Sequence, residues 1–366
     1  MKALVVGGTG PTGPYIVNGL RERGYQVAIF HRGTHEIPEI PADVEHIHGD
    51  PHFLATIEES LNGRTFDVAI VTYGRIRFLA QALAGKVGRF ISVGGVASYR
   101  GYLNPEFLSP EGMYSPISEH SDVVDNESEH RFSYLIAQTE QTVLEYDPDA
   151  THFRYPYVYG PRQLIPSEWS ILRRILDQRA SLILPDGGLN LTTRGYAENL
   201  AHSLLLAVDQ PGPAAGQIYN CGDERQFTFR QFTQMICRKM SYELELINMP
   251  YELALPARPY TTELTTHHRL MDISKIKSEL GYRDVCPTEQ ALDLTIDWLL
   301  ENRPDPGGDI EQRLQDPFDY AGEDRLISVW RDSVESIAKV PFDAVSDRPH
   351  PYAHPKQPGE RDHRNR

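Results

Sequence analysis

Short apolar runs and amphipathic stretches alternate along the first 160 residues of the chain. Short stretches rich in apolar residues predict strands at 2–6, 25–30, 44–47, 67–72, 89–93 and 151–154. Apolar positions three and four residues apart predict helices between most of them, at 12–23, 53–61, 75–84 and 132–146. Strands that alternate with helices form a parallel sheet with helices on both faces. The pattern therefore predicts an α/β fold with a doubly wound parallel sheet.

The same pattern divides the chain into four parts. The alternating region, 1–160, is the predicted ligand-binding domain. Short strands and helices with Pro and Gly breaks predict a smaller C-terminal α/β lobe over 161–302, which would face a substrate. A helical extension is predicted over 303–340. The tail, 341–366, is rich in Pro, His and charged residues and is expected to be disordered.

Two further segments carry specific expectations. Prolines and an acidic run in 98–131 predict a long surface loop near the ligand crevice. An apolar stripe predicts a helix at 325–338 that packs on the protein as a lid or a dimer contact, since it would otherwise expose a large patch. The stripe consists of Leu326, Ile327, Trp330, Val334 and Ile337.

The charge balance narrows the classes of partner. The chain has 51 acidic and 36 basic residues and a net charge of −15, which disfavours broad nucleic-acid binding. No apolar run approaches the roughly 18 residues of a membrane helix, and no signal peptide precedes the first strand. The three cysteines form no C-x-x-C pair. We therefore predict a cytoplasmic protein with no nucleic-acid or membrane partner. Its expected ligand is a small-molecule substrate, and a homodimer is an assembly that the sequence leaves open.

A glycine pattern follows the first predicted strand and opens the first helix. It reads Gly7-x-x-Gly10-x-x-Gly13. Such glycines allow a tight turn, close approach of the backbone to a pyrophosphate, and close packing of helix on sheet. The helix N-terminus then faces the phosphates. A purely structural glycine turn is the alternative. The residues predicted to bind the dinucleotide here are Gly7, Thr9, Gly10, Pro11, Thr12 and Gly13.

The end of the second strand bears on which dinucleotide is bound. An acidic residue there would bind the ribose hydroxyls and select NAD, but the strand ends in His31-Arg32-Gly33. Arg32 can pair with a 2′-phosphate, so NADP is predicted over NAD. Asp50, after the third strand, is predicted to accept from the adenine amino group. The alternatives are a solvated cation for Arg32 and a turn residue for Asp50.

Three further motifs accompany the glycine loop. They are Arg154-Tyr-Pro156-Tyr-Val-Tyr-Gly-Pro161, Gly216-Gln-Ile-Tyr-Asn-Cys-Gly222 and Asp272-Ile-Ser-Lys-Ile-Lys-Ser-Glu-Leu-Gly-Tyr282. Together they resemble the extended short-chain dehydrogenase/reductases, the NAD-dependent epimerase/dehydratase type, over about residues 1–300. The resemblance implies a Rossmann fold and a cofactor-binding role for Pro156 and Gly94. The short stretch between Thr72 and Arg89 resembles the atypical branch, which includes the chloroplast stem-loop-binding proteins.

The family uses a Ser, a Tyr and a Lys for catalysis, and the resemblance implies that this chain keeps only the tyrosine. Tyr134 matches the family's Tyr, and Gln138 stands in the position of its Lys. Gly94 and Gly95 stand in the positions of its Ser pair. Gln138 has no charge to lower the tyrosine pKa from roughly 10, so Tyr134 would act as an acid and poorly as a base. Ser98, Ser133 or the backbone N–H groups of Gly94 and Gly95 could replace the missing hydroxyl.

Two hypotheses about the function remain open. The first is an NADP-dependent oxidoreductase or redox epimerase that acts on a carbonyl or hydroxyl carbon of a small molecule, with Tyr134, Gln138 and Ser98 as candidate catalytic residues. Nucleotide sugars are the commonest substrates of the family. The second is a catalytically inactive NADP-binding sensor or scaffold. Neither His46-x-His48 nor His267-His268 has a third ligand at metal spacing, so no metal site is predicted.

Overall fold

Short apolar runs form the central strands of this protein. Its computed structural model describes residues 1–34, 36–257, 267–343 and 354–365. The strands of these residues are β1 (Lys2–Val6), β2 (Gln26–His31), β3 (Glu45–His48), β4 (Val68–Val71), β5 (Phe90–Gly95), β6 (Thr151–Tyr155), β7 (Tyr157–Tyr159), β8 (Ser181–Pro185), β9 (Arg194–Tyr196), β10 (Ile218–Asn220) and β11 (Glu245–Met249). Seven strands form one parallel sheet in the order β10-β6-β5-β4-β1-β2-β3. The order reverses between β1 and β4, so the sheet is doubly wound and its ligand crevice is expected at the carboxyl ends of these strands. The predicted fold class is confirmed.

Helices lie between the strands, and further helices follow β11. In the described residues they are α1 (Gly13–Glu22), α2 (Leu54–Ser60), α3 (Ile76–Leu83), α4 (Arg131–Tyr146), α5 (Ser167–Leu176), α6 (Ala197–Asp209), α7 (Pro211–Ala214), α8 (Phe229–Lys239), α9 (Ser274–Glu279), α10 (Thr288–Glu301), α11 (Asp309–Leu314) and α12 (Tyr320–Ala338). The strands and helices predicted over the first 160 residues are all present, with ends that differ from the prediction by at most two residues. None of the described helices is long and apolar enough to cross a membrane.

Side-chain alternation along β1 divides the core into two layers. Ala3 and Val5 pack in one cluster with residues of α1 and α6. Leu4 and Val6 pack in a second cluster with residues of α2, α3 and α4. Because successive side chains of a strand point to opposite faces, a fully apolar strand buries both faces of the sheet.

The chain divides into two compact units, Met1–Asp319 and Tyr320–Arg366. The first also contains two small parallel pairs of strands, β7 with β9 and β8 with β11. The second contains α12, so a helix exists where the apolar stripe predicts one. The boundaries at 160 and 302 and the packing of the helix at 325–338 stay predictions. The tail predicted at 341–366 lies partly outside the described residues.

The segment 98–131 differs from the surface loop that its prolines and acidic residues predict. Tyr99, Tyr102 and Ile117 are buried, and they form a small apolar cluster with Met271. Ile117 donates its amide to the carbonyl of Leu270 at 2.7 Å. Packing against a segment that is distant in sequence therefore orders residues whose local composition favours a loop.

Candidate active site

Close packing explains two glycines of the loop between β1 and α1. Gly7 has a φ of +97°, and a Cβ there would overlap Oγ1 of Thr72 and lie 2.7 Å from Cβ of Tyr73. A Cβ on Gly13 would lie 2.8 Å from Cα of Gly8. Gly7 thus allows the turn against the end of β4, and Gly13 lets the first turn of α1 pack on the loop.

Gly10 differs from these two glycines. A Cβ on Gly10 would meet only the carbonyl oxygen of Gly7, at an ordinary 3.5 Å. The interior of the protein therefore does not require a glycine at this position. Gly10 lies on the wall of a cleft, where the missing side chain lets a ligand approach the backbone closely.

The cleft has a volume of about 540 Å³ and lies at the carboxyl ends of the strands. This is within the usual range of roughly 300–1,000 Å³ for small-molecule sites. Its walls come from the glycine loop, from the ends of β2 and β4, and from the chain after β6. Besides Gly7, Thr9, Gly10, Pro11 and Thr12, the lining residues are His31, Arg32, Thr34, Thr72, Tyr73, Tyr155, Val158, Arg162, Gln163, Leu164 and Arg313.

Three arginines line the cleft. Arg162 is paired with Glu39. Arg32 and Arg313 are exposed, and within the described ranges no carboxylate forms an ion pair with either side chain. Two arginines without a carboxylate at the edge of one cleft favour an anionic ligand, because a planar guanidinium binds phosphate with two parallel hydrogen bonds.

Arg313 is a cleft residue that the sequence reasoning missed. It lies on α11, which hydrogen bonds join to α5: Trp169 donates from Nε1 to Oε1 of Glu311 at 2.9 Å, and Arg173 donates to the same oxygen at 2.6 Å. Arg174 forms a buried ion pair with Asp316 at 2.7 Å. No local pattern signals this placement, since it depends on contacts between residues about 140 positions apart.

Asp50, the predicted adenine partner, does not line the cleft. Its Oδ1 accepts a hydrogen bond from the backbone amide of His52 at 3.0 Å and lies 2.8 Å from Nδ1 of the His52 ring. The amide contact and then the ring contact lower the pKa of Asp50. The carboxylate thus stabilises the turn after β3, and its role toward adenine stays a prediction.

Tyr134 and Gln138, the candidates on α4, do not contact each other through hydrogen bonds. The Tyr134 side chain is half-buried, and the described part of the chain offers its hydroxyl no hydrogen-bond partner. Gln138 donates from Nε2 to Oε1 of Gln141 at 3.3 Å. Neither residue lines the cleft of about 540 Å³. The structure therefore leaves the Tyr134 hydroxyl available and directs the Gln138 amide along the helix surface.

The remaining candidates lie beneath or beside the end of β5. Ser98 is fully buried, and its hydroxyl has no hydrogen-bond partner among the described residues. Pro156 is buried between β6 and β7. Neither residue lines the cleft, nor does Gly94. Their predicted roles in catalysis and cofactor binding therefore have no support from the cleft geometry.

The two glycines in the positions of the family's Ser pair differ sharply in their surroundings. A Cβ on Gly94 would overlap Nε2 of His152 and lie 3.0 Å from its Cε1. A Cβ on Gly95 would meet nothing closer than 4.0 Å. The His152 ring, whose Nδ1 lies 2.8 Å from Oγ of Ser92, thus fills the space that a serine side chain at position 94 would need.

The motif residues at 154 and 220 form a buried polar network that joins β6 and β10 to the segment 98–131. Arg154 binds both carboxylate oxygens of Glu140, at 2.8 and 2.6 Å, and its guanidinium stacks 4.5 Å from the centre of the Tyr99 ring. Tyr99 donates to Oδ1 of Asn220 at 2.7 Å, and the backbone amide of Asn220 donates to Oε1 of Glu119 at 2.9 Å. Burial raises the pKa of Glu119. These residues hold the strand ends together.

No protein-family model matches this chain. The chain is 24% identical over 304 residues to the chloroplast stem-loop binding protein of 41 kDa b from Arabidopsis thaliana, a match that covers 77% of this chain and 75% of that protein.

Several solved structures share the fold of this chain over most of its length. The UDP-glucose 4-epimerase of Thermotoga maritima, solved with UDP-glucose, has a TM-score of 0.65 and 17% identity, covering 83% of this chain and 100% of that one. The dTDP-glucose 4,6-dehydratase of Streptomyces venezuelae, solved with NAD, has a TM-score of 0.62 and 20% identity, covering 83% and 98%. The resemblance predicted from the motifs is therefore confirmed: in fold, this chain is similar to the NAD-dependent epimerase/dehydratase type of extended short-chain dehydrogenase/reductase.

Proposed function

We propose that the chain binds NADP(H) in the cleft and is an oxidoreductase or redox epimerase that acts on a carbonyl or hydroxyl carbon of a small molecule. The observation that carries the proposal is the combination of Gly10, whose missing side chain the protein interior does not require, with Arg32 and Arg313 on the same cleft. An open backbone beside two arginines suits a pyrophosphate and a further phosphate.

The choice of NADP rests on Arg32. It follows β2 directly, where an acidic residue would bind the ribose hydroxyls of NAD and repel a 2′-phosphate. NAD is the competing cofactor, because similar solved structures carry it. Arg313 supports the proposal with a second positive charge from a distant segment of the chain.

The protein's own groups have separate tasks in the proposed reaction. The chemistry that a nicotinamide cofactor supplies when bound is hydride transfer. The loop at 7–13 and the two arginines hold and orient the phosphates. The Tyr134 hydroxyl gives a proton to the substrate oxygen in the reductive direction, because a protonated phenol is an acid at neutral pH. Gln138 carries no charge that would stabilise a phenolate at Tyr134.

The substrate side is proposed to come from the lobe at 161–302. A nucleotide sugar is the substrate class favoured by the similar solved enzymes, which are named for UDP-glucose and dTDP-glucose. A homodimer and a cytoplasmic location belong to the same proposal.

A sensor or scaffold that binds NADP without turnover is the second candidate. Two observations favour it. His152 occupies the space beside Gly94, and Gln138 bonds to Gln141 where the family's Lys would face the cofactor. In both places a group that the family uses for chemistry is missing, while the cleft is intact.

Calorimetric titration with NADPH and NADH tests the cofactor assignment. A bidentate contact to a phosphate contributes up to about 3 kcal/mol, so Arg32→Asp should weaken NADPH binding by about 100-fold and NADH binding far less. Arg225→Asp is the matched control, since Arg225 is exposed and does not line the cleft. Equal affinity of the wild-type protein for the two cofactors would refute the NADP preference.

Turnover of NADPH with a panel of carbonyl compounds and nucleotide sugars separates the enzyme from the sensor. Tyr134→Phe should lower the rate by roughly 10²–10⁴-fold and leave NADPH affinity unchanged. Tyr146→Phe, on the same helix, is the control and should retain full activity. Tight NADPH binding without turnover on any compound would favour the sensor, and full activity of Tyr134→Phe would exclude this residue as the acid.

A further inference from the structure

Three histidines lie together at the edge of the central sheet. His31 is the last residue of β2, and His46 and His48 lie on the edge strand β3. The parallel register pairs His31 with His48 and Ile29 with His46. Because side chains two residues apart on a strand share a face, and register partners share it too, the three imidazoles lie on one face. The strand pairing thus adds a third histidine to the His46-x-His48 pattern.

A carboxylate joins the three rings. One ligand atom from each of His31, His46, His48 and Glu36 lies within 4.8 Å of the others. Nε2 of His31 is 3.0 Å from Nδ1 of His46, and Oε1 of Glu36 is 3.7 Å from the same nitrogen. Two nitrogens bound to one tetrahedral zinc ion at about 2.0–2.1 Å lie about 3.3 Å apart. Small side-chain movements would therefore bring all four atoms to bonding distance.

The charge state of the cluster also suits a cation. Glu36 is exposed and brings a negative charge to the open side of the cluster.

Hydrogen bonding alone explains only part of this arrangement. The Gly33 amide donates to Nδ1 of His31 at 3.3 Å, so the proton of that ring is on Nε2 and is shared with His46. The ring of His48 lies 5.1 Å from that of His31, and none of the described groups forms a hydrogen bond with its nitrogens. If Nε2 of His31 binds a metal, the ring proton has to move to Nδ1. The long hydrogen bond from the Gly33 amide to Nδ1 would then be lost.

We propose that His31, His46, His48 and Glu36 bind one divalent transition-metal ion of the zinc type. Imidazole nitrogens favour Zn²⁺, Co²⁺ and Ni²⁺ over Mg²⁺ and Ca²⁺, which prefer oxygen ligands. The ligand set of three histidines and one carboxylate fills a tetrahedral site. The argument for this metal site does not depend on the proposed function. The two sites share one residue, because His31 also lines the cleft.

The test uses the full-length chain without a histidine tag, treated with EDTA and then freed of it. Titration with Co²⁺ alone should give one equivalent bound, with the intense visible absorption of a tetrahedral site, and Zn²⁺ should displace it. His46→Ala/His48→Ala should lose more affinity than the roughly 10–100-fold that removal of an outer hydrogen-bond partner costs. His120→Ala is the matched control, because this exposed histidine lies outside the cluster.

Circular dichroism of each variant shows whether it is folded. The single variant His48→Ala provides a second measurement, since His48 is exposed and its loss leaves the core intact. A wild-type protein that binds no Co²⁺ would overturn the proposal. So would His46→Ala/His48→Ala or His48→Ala binding Co²⁺ with the stoichiometry and affinity of the wild type.

Discussion

Gly94 and Gly95 are adjacent in sequence, yet an added methyl group should affect them in opposite ways. In Gly94→Ala the new Cβ would overlap Nε2 of His152. In Gly95→Ala it would lie 4.0 Å from the amide nitrogen of Ala97 and from Cδ1 of Ile136. Gly95 has φ −139° and ψ 151°, an extended conformation that alanine adopts without strain.

The expected cost follows from how little the His152 ring can move. The ring is fully buried, its Nδ1 lies 2.8 Å from Oγ of Ser92, and its Nε2 lies 3.7 Å from Oε2 of Glu140. Overpacking at such a site costs about 1–3 kcal/mol of unfolding free energy. Gly95→Ala should change the unfolding free energy by no more than about 0.5–1 kcal/mol, with a gain expected from the smaller entropy of the unfolded chain.

Urea unfolding of the two variants measures this difference, and a double variant tests its cause. In the background of His152→Ala, which removes the ring, Gly94→Ala should lose most of its cost, because the overlapping group is gone. The coupling between positions 94 and 152 should then be of the same size, about 1–3 kcal/mol. Equal effects of Gly94→Ala and Gly95→Ala, or an undiminished cost of Gly94→Ala without the ring, would refute the reasoning.

Three further predictions concern the loop, the C-terminal segment and pH. Gly10→Ala should keep the wild-type melting temperature but weaken NADPH binding in calorimetry, since its Cβ fits the protein and would meet the ligand. Asp316→Ala leaves the buried Arg174 without this partner and should lower the unfolding free energy by about 3–5 kcal/mol in urea titrations. Burial lowers the pKa of His152 to about 4. The unfolded chain therefore takes up this proton first, so wild-type stability should fall as pH drops from about 6.5 toward 4, by up to about 1.4 kcal/mol per pH unit. A His152→Gln variant with an equally steep profile would contradict this assignment.

The sheet could be predicted because its signals are local. Val68–Val71 and the other central strands are short apolar runs bounded by polar turns, and buried parallel strands have this appearance. Gly7 and Gly13 identified the turn into α1 for the same reason, because each is required by contacts close to the loop.

The parts that sequence could not predict depend on distant contacts. Arg313 reaches the cleft because Glu311 binds residues of α5 about 140 positions earlier. His31 joins His46 and His48 through the pairing of β2 with β3, which a search for ligands at fixed spacing does not detect. Tyr99 is buried in a segment whose composition favours a surface loop, because it packs in a cluster with Met271 and its hydroxyl donates to Asn220.

The absence of a serine at position 94 and the presence of a histidine at position 152 depend on each other sterically. With His152 in place, even a single Cβ at position 94 overlaps the ring, so a hydroxyl can be restored there only if the buried ring moves. The open space at Gly95 is different, since its nearest neighbours are 4.0 Å from an added Cβ. A serine introduced at position 95 would therefore fit, and it is the direct way to return a hydroxyl to the end of β5. Any turnover by the wild-type chain must therefore orient the substrate oxygen without a side-chain hydroxyl at position 94 or 95.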